Sequence, residues 1–360
     1  MQKKYRQITA WLTEEIEKGT LCYGERIPSE KELAEQFGVS RQTVRRAMED
    51  LNAAGIVESR RGSGTYVSVN ARRPLKGETR IAVMLTYVDT YIFPALIRGI
   101  ESELSREGCI LQISVNDNAV ERERMMLKEL IRSHSVEGLI AEAVKSGLPN
   151  PNLDLYRELE EMGIPVLFVN SYYRDLDIPH ISLDDRTAGY LATKHLLECG
   201  HTRISGIFKS DDGQGHLRYA GYTEALMERD IKVLGGRIIW LDSGESDELE
   251  EENRRILKRL QDCTACVCYN DEVAYKLVDI LKKAGKTVPD DMSVVGIDNS
   301  AKAEFCSVPL TSVRNPVEDL GRTAARKIVG RIFNGEKMES EEFEPELVLR
   351  DSVRVAERII

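Results

Sequence analysis

The stretch SEKELAEQFGVSRQTVRRAMEDL, residues 29–51, decides the fold of the N-terminal region because it predicts two short helices joined by a tight turn. Ser29 precedes Glu32 by three residues, the spacing at which two such side chains cap a helix start reciprocally. Gly38 can adopt the left-handed conformation that ends this helix, and Ser40 can cap the next one. The pattern therefore predicts a helix, a short turn and a second helix.

The second predicted helix has an apolar face and a cationic face. Its apolar residues recur at helical spacing and are Val44, Ala47, Met48 and Leu51. The opposite face holds Gln42, Arg45 and Arg46, with Arg41 on its flank. A solvated helix of an ordinary bundle shows such a pattern, and so does a recognition helix that enters the major groove of DNA.

The residues on either side of this pair favour the DNA-binding interpretation. The segment IVESRRGSGTYVSV, residues 56–69, alternates apolar and polar residues about a basic, glycine-bearing centre. This alternation predicts a β-hairpin, which would form a wing beside the helices. An amphipathic helix over Lys3–Gly19, with Ile8, Leu12 and Ile16 as its apolar stripe, should pack against the pair.

Charge is distributed unevenly along the 360 residues. The net charge is −10, but residues 1–73 hold 13 Lys and Arg against 10 Asp and Glu, which leaves 37 against 50 for the remainder. A mildly basic head on an acidic body suits a protein whose phosphate contacts are confined to one small module.

The chain beyond the head predicts an α/β body. The stretch NARRPLKGE, residues 70–78, has Pro, Gly and charge but no apolar period, and so predicts a linker. Apolar runs then alternate with amphipathic helices, which predicts two doubly wound parallel sheets. The predicted strands are RIAVMLTY, CILQISV, GLIAEAV, PVLFVN, RISGIFK, GRIIWL, TACVCYN and MSVVGID. The predicted helices span residues 93–107, 120–133, 153–162, 186–198, 217–229, 248–260 and 273–284.

Polar side chains follow several of these strands, where ligands of open parallel sheets bind. They are Glu142, Asn170, Tyr172, Tyr173, Asp211, Asp212, Arg218, Asn270, Asp271 and Asp298. Carboxylates, amides and guanidinium groups bind adjacent hydroxyls, and an aromatic ring covers the apolar face of a sugar. Each residue has a plainer interpretation: Asn270, Asp271 and Asp298 as helix caps, Arg218 as a solvated helix residue, and the tyrosines as loop packing.

Several classes of protein are disfavoured. No run of 18 apolar residues could span a bilayer, and the N-terminus lacks an export signal, so we expect a cytoplasmic protein without a membrane partner. The seven cysteines predict reduced thiols, and Cys263, Cys266 and Cys268 lack partners at metal-site spacing, so we expect neither metal nor cofactor. The absence of G-x-S-x-G, H-E-x-x-H and Walker A motifs disfavours a sugar-processing enzyme. A sugar-transport receptor is disfavoured by the DNA-binding head.

Longer stretches resemble two regulator families. The segment IPSEKELAEQFGVSRQTVRRAMEDLNAAGIVESRRGSGTYV, residues 27–67, resembles the winged-helix domain of GntR-type bacterial regulators. The body resembles the periplasmic-binding-protein-like effector domain of the LacI/GalR repressors. The stretches that carry this likeness include HISLDDRTAGYLATKHLLECGHTRISGIF, RYAGYTEAL, YNDEVAYKLVDIL, VPDDMSVVGIDNS and LTSVRNPVEDLGRTAA. The pairing of head and body resembles the family of arabinose-responsive repressors.

The resemblance implies a homodimeric repressor that leaves a pseudo-palindromic double-stranded DNA operator when a sugar, L-arabinose, binds. It implies sugar contacts at Asn170, Arg218, Asn270 and Asp298, with Glu142 and Tyr91 as additions. Tyr172 joins this set of predicted contacts because of its position after a predicted strand. The resemblance implies DNA contacts at Arg41, Gln42, Thr43, Arg45 and Arg46, flanked by Lys4, Arg61 and Gly62. A hexose, another pentose or a nucleoside remains an alternative effector.

The same resemblance implies a domain division. Residues 1–70 form the winged helix-turn-helix domain, residues 71–78 the linker, and residues 79–360 the effector and dimerisation domain. Within the latter, one subdomain takes residues 79–183 and 314–342, and the other takes 184–313 and 343–360. LacI-type proteins usually carry their own helix-turn-helix and hinge helix, which this chain lacks, so the route of coupling through the linker stays open.

Overall fold

The computed structural model describes residues 2–17, 20–22, 24–53, 55–60, 63–68, 79–247 and 253–356. The predicted linker, Arg61 and Gly62 lie outside the described residues, as does the side chain of Lys4. The chain divides into two compact units. The head is Met1–Leu75 with Glu158–Ile164, and the body is Lys76–Arg157 with Pro165–Ile360.

The head contains three helices and a two-stranded hairpin. These elements are α1 Gln2–Glu17, α2 Glu30–Phe37, α3 Arg41–Ala53, β1 Val57–Arg60 and β2 Gly64–Val67. The predicted capping box at the start of α2 is confirmed, because Ser29 N donates to Glu32 Oε2 at 2.7 Å and Glu32 N to Ser29 Oγ at 3.3 Å. Gly38 ends α2 at φ 58°, the left-handed conformation expected there.

The head has its own hydrophobic core. The apolar stripes of the three helices and the inner residues of the hairpin meet in it, and its fully buried members include Ile8, Leu12, Leu33, Val44 and Val67. β1 and β2 pair antiparallel, with Arg60 opposite Gly64. The head is therefore a helix-turn-helix followed by a wing, as predicted.

The body contains the remaining elements, and strands and helices alternate along most of it. In its first half they are β3 Arg80–Leu85, α4 Phe93–Arg106, β4 Ile110–Val115, α5 Val120–Ser133, β5 Gly138–Ala141, α6 Leu153–Glu161, β6 Val166–Val169 and β7 His180–Leu183. Then come α7 Asp185–Glu198, β8 Ile204–Lys209, α8 Gly213–Met227, β9 Ile238–Leu241, α9 Ser243–Asp247, α10 Asn253–Leu260, β10 Ala265–Cys268, α11 Asp271–Lys283, β11 Ser293–Asp298 and β12 Thr311–Arg314. The last are α12 Val317–Asn334, β13 Glu341–Phe343 and β14 Glu346–Val348.

These strands form two six-stranded sheets, each the centre of one lobe. The first lobe has the strand order β13-β7-β6-β5-β3-β4, and the second has β14-β12-β11-β10-β8-β9. Neighbouring strands run parallel, except that β14 is antiparallel to β12 at the edge of the second sheet. Two doubly wound parallel sheets are confirmed. The chain crosses between the lobes after β7, after β12 and after β13, so each lobe is built from separated segments.

Three elements differ from their predicted bounds. Helix α8 begins at Gly213, before the predicted residue 217, because the Asp212 carboxylate caps it by accepting from Gln214 N at 3.1 Å. The predicted helix 248–260 is described only from Asn253 onward. The run GLIAEAV leaves the sheet after Ala141. None of the described helices is both long and apolar enough to cross a membrane.

Helices α7 and α8 pack closely because each contributes a glycine at the contact. A Cβ added to Gly189 would overlap the Arg218 carbonyl oxygen and lie 2.7 Å from Arg218 Cα. A Cβ added to Gly221 would lie 2.5 Å from Tyr190 N. Backbone cannot retreat as a flexible side chain can, so the two helices require both glycines.

We predict that Gly189→Ala destabilises the body by about 1–3 kcal/mol or more, because overpacking forces two helix backbones apart. Gly236→Ala is the control, since no atom lies within 4 Å of its added Cβ. Chemical denaturation of both variants measures the effect. Equal stability of Gly189→Ala and the wild type would contradict the packing described here.

Candidate functional site

A cavity of about 360 Å³ lies between the two sheets of the body. Six of the seven residues predicted to contact a ligand line it: Tyr91, Glu142, Asn170, Arg218, Asn270 and Asp298. Tyr172 lies elsewhere, because its ring stacks on His180 with 3.6 Å between centroids. The cavity therefore collects side chains that follow strands of both sheets.

Arg218 is the most constrained of these residues. Its guanidinium donates through Nε to Asp185 Oδ1 at 2.8 Å and through Nη2 to Asp298 Oδ1 at 3.3 Å. Nη1 donates to the Tyr269 carbonyl oxygen at 2.6 Å, and the guanidinium carbon lies 4.8 Å from the centroid of the Tyr269 ring. With 1% of its surface exposed, Arg218 is not the solvated helix residue of the plainer interpretation.

Burial and pairing act against each other in this cluster. Burial raises the pKa of the Asp185 carboxyl to about 6, while the neighbouring Arg218 cation acts to lower it. Burial acts to lower the pKa of Arg218, but Asp185 and Asp298 raise it above its usual value. The cluster therefore places a buried cation between two acidic side chains.

Asp298 connects Arg218 to the first lobe. It ends β11 with φ 99°, and its Oδ2 accepts from the Tyr91 hydroxyl at 2.6 Å. Its Oδ1 also accepts from Asn315 Nδ2 at 3.2 Å. Within the residues that the structure describes, no helix begins directly after Asp298. Asp298 is therefore not a helix cap.

Glu142 forms the opposite wall of the cavity. Its carboxylate accepts from Thr86 N at 2.9 Å, from the Thr86 hydroxyl and from Asn170 Nδ2 at 2.6 Å. Burial raises the pKa of Glu142, and these hydrogen bonds act to lower it. Asn170 in turn accepts from Gln214 Nε2 at 3.4 Å across the lobes. The amide and the carboxylate thus hold each other in fixed orientations.

Asn270 and Asp271 differ in their contacts. Asn270 both lines the cavity and caps α11 by accepting from Val273 N at 3.0 Å, so the two interpretations of this residue are compatible. Asp271 accepts instead from the Ser312 hydroxyl and from Ser300 N, each at 2.6 Å. Burial raises the pKa of Asp271 to about 7. Its contacts make Asp271 a support of the site.

Sequence reasoning missed part of the lining. Thr86, Asn118, Lys145, Ser146, Lys209 and Ser243 also face the cavity. Most of these follow β3, β4, β5 or β9, and Lys209 ends β8, so the rule that pointed to Asn170 could have found them. Tyr269 also lines the cavity and directly follows β10, so the same rule could have found it. Asn315 follows β12, which was not among the predicted strands, and it acts on the site through Asp298.

In the head, the predicted DNA contacts of α3 lie on its solvent side. Arg41, Gln42, Arg45 and Arg46 are exposed, and Thr43 is half-buried. Arg45 Nε lies 3.6 Å from Glu30 Oε1, and the Arg46 guanidinium carbon lies 5.0 Å from the centroid of the Tyr5 ring. Ser40 Oγ caps α3 by accepting from Thr43 N at 3.3 Å. The exposed face of α3 could therefore meet a groove of DNA.

Two family models match the chain. Residues 4–67 match the gntR family of bacterial regulatory proteins. Residues 193–353 match the periplasmic binding protein-like domain. The two matches agree with the winged-helix head and with the α/β body described above.

Curated relatives match over nearly the whole chain. An arabinose metabolism transcriptional repressor from Halalkalibacterium halodurans is 37% identical, covering 99% of this chain and 98% of the relative. A protein of the same name from Geobacillus stearothermophilus is 35% identical, covering 98% of each chain. Each of these similarities thus extends over nearly the whole of both chains.

Solved structures of regulators match more than three quarters of the chain. The regulator CcpA of Lactococcus lactis is 25% identical with a TM-score of 0.69, covering 77% of this chain and 99% of that one. A LacI family regulator from Enterococcus faecium with bound ribose is 25% identical with a TM-score of 0.67, covering 78% and 100%.

We predict that Arg218→Ala lowers the free energy of unfolding of the body by about 3–5 kcal/mol, because Asp185 and Asp298 lose their buried cation. Arg186→Ala is the control, since its ion pair with Glu224 is largely exposed and worth about 0–1 kcal/mol. Denaturant titration of both variants checks the prediction. Similar losses of unfolding free energy in the two variants would show that burial does not increase the contribution of the Arg218 ion pairs to stability.

Proposed function

Because the chain belongs to the family of arabinose metabolism transcriptional repressors, which are sugar-responsive DNA-binding regulators and not enzymes, we propose that its own effector is L-arabinose. The sugar binds in the cavity between the two lobes and causes release of the operator. The observation that carries this proposal is the fixed polar lining that Arg218, Asp298, Asn170 and Glu142 provide. Carboxylate, amide and guanidinium groups in fixed orientations suit the adjacent hydroxyls of a sugar.

Size and charge support a single neutral sugar ring. A volume of about 360 Å³ is at the small end of ligand pockets, which span about 300–1,000 Å³. Carboxylates outnumber cations in the lining. The acids are Asp89, Glu142, Asp211, Asp212, Glu272 and Asp298, and the cations are Lys145, Lys209 and Arg218. This excess of negative charge disfavours a phosphorylated sugar.

The proposed residue roles follow the two units. Sugar contacts fall to Tyr91, Glu142, Asn170, Arg218, Asn270 and Asp298. DNA contacts fall to Arg41, Gln42, Thr43, Arg45 and Arg46, with Lys4, Arg61 and Gly62 beside them. The proposed domains are residues 1–70 and 79–360, joined by the linker 71–78.

The proposed mechanism is a two-state switch in a cytoplasmic homodimer. Two recognition helices bind half-sites about one or two helical turns apart on the operator. The sugar binds better to the state that fits DNA poorly, and it therefore shifts the population toward release. A coupling free energy of about 1–3 kcal/mol would lower operator affinity about 5- to 150-fold.

The competing proposal keeps the repressor and changes its effector. Another pentose, a hexose or a nucleoside presents similar hydroxyls to the same side chains. The similar regulator from Enterococcus faecium has ribose bound, which favours a pentose among these alternative effectors.

We predict that L-arabinose stabilises the full chain more than other sugars do, by about 2.7 kcal/mol at 100 times its Kd, because it binds only the native state. Thermal unfolding against a panel of pentoses, hexoses and nucleosides measures this. Glu142→Gln should reduce the stabilisation without loss of operator binding. A larger increase in unfolding temperature with another compound would identify that compound, and not L-arabinose, as the effector.

We predict that Arg45→Ala weakens operator binding by about 1–3 kcal/mol, the usual cost of one lost arginine contact to DNA. Sugar affinity should stay unchanged, because Arg45 lies in the head. Arg132→Ala removes the same charge from an exposed position of α5 and serves as the control. Fluorescence anisotropy with operator DNA at two salt concentrations measures both. Equal operator affinity in the two variants would show that Arg45 does not contact the operator.

A further inference from the structure

A direct backbone contact joins the two lobes beside the cavity. It is formed by Ser146 and Gly147, which follow β5 in the first lobe and which we call the clasp. Ser146 Oγ donates to Asp212 Oδ1 at 3.1 Å and accepts from Gly213 N at 3.0 Å. Gly147 N donates to the Asp211 carbonyl oxygen at 3.2 Å. The clasp therefore meets the start of α8 in the second lobe.

Gly147 permits this contact because it has no side chain. A Cβ added there would lie 2.8 Å from Asp212 N, 2.9 Å from Asp212 C and 3.0 Å from Asp211 C. All three are backbone atoms at the start of a helix, where a small shift would break the Asp212 cap. Gly147 does not have a positive φ, so alanine would change the approach of the two lobes without straining the local conformation.

The first lobe holds the clasp in place from behind. Val144 N donates to the Tyr173 hydroxyl at 2.8 Å, and Lys145 N donates to Asn118 Oδ1 at 3.0 Å. The Tyr173 hydroxyl donates to Glu123 Oε1 at 2.7 Å, and Glu123 is fully buried. The clasp is therefore presented to the second lobe by a supported segment of backbone.

The second lobe connects the clasp to the Arg218 cluster. Asp212 Oδ1 accepts from Ser146, while Asp212 Oδ2 accepts from the Tyr269 hydroxyl. The carbonyl oxygen of the same Tyr269 accepts from Arg218 Nη1. Hydrogen bonds at the two ends of Tyr269 thus connect the clasp, through that residue, to the guanidinium proposed to bind the sugar.

We propose that Ser146 and Gly147 position the two lobes and set how long the sugar stays bound, by docking on the Asp212 cap of α8 when the lobes close. This inference rests on the proposed function, because it takes the cavity as the sugar site. Closure of lobes around a ligand slows its escape, and contacts formed only in the closed state act on the dissociation rate.

The test compares Ser146→Ala, Gly147→Ala and Leu148→Ala in the full chain. Leu148 is the control because it adjoins the clasp and is exposed. Stopped-flow measurement with L-arabinose should give an unchanged association rate and a dissociation rate about tenfold higher in both clasp variants. That factor is the size expected for the loss of one or two net hydrogen bonds. Release of operator should need about tenfold more sugar, with unchanged operator affinity in its absence.

Each outcome decides between the two proposals. Wild-type rate constants in both clasp variants would overturn the role of the clasp. A wild-type chain that binds no sugar of the panel would instead overturn the proposed function. If Gly147→Ala unfolds, Ser146→Ala is compared with Ser243→Ala, because both remove a hydroxyl from the cavity lining and only Ser146 belongs to the clasp. Equal dissociation rates in these two variants would overturn the proposal. Equal effects in Leu148→Ala and the clasp variants would also overturn the proposal, since the loop as a whole would then be responsible.

Discussion

The buried guanidinium of Arg218 is the interaction on which the geometry of the body depends. A cation without solvent requires compensating acceptors, and Asp185, Asp298 and the Tyr269 carbonyl supply them from three different elements. The start of α7, the end of β10 and the end of β11 are thereby held at fixed distances from α8. The close approach at Gly189 brings α7 near enough for this pairing. Packing and electrostatics consequently select the same arrangement.

Local sequence patterns predicted the helix-turn-helix, the wing and most strands of the body. The strands were predictable because a strand buried on both faces of its sheet is a continuous apolar run. Local patterns did not predict β7, β12, β13 or β14. Residues 341–343 read EEF and pair with residues 181–183, so their strand depends on a partner about 160 positions away. The helix α12 also lay outside the predicted set. Its place in the first lobe follows from contact with α4, where Gly321 lies against Ile100 N.

The candidate site was predictable mainly at residues that end or closely follow a predicted strand. Asn170, Asn270 and Asp298 were found in this way, and the cavity lies among them. Residues that act through another residue left no local signal, because their role depends on three-dimensional neighbours. Asn315 reaches the site only through the Asp298 carboxylate. Tyr172 illustrates the opposite error, since an aromatic residue near a sugar site can equally stack on a neighbour such as His180.

The repeated crossing of the chain between its lobes also orders events during synthesis. The core of the head is complete once residue 67 has been made. The first lobe lacks α12 and β13 until residue 343, and the second lacks β14 until residue 348. Domains fold as units as they leave the ribosome, and non-local pairing is slow. The head, which contains α3, can therefore fold long before the body. A nascent chain would then have a folded DNA-binding domain before it has a complete effector domain.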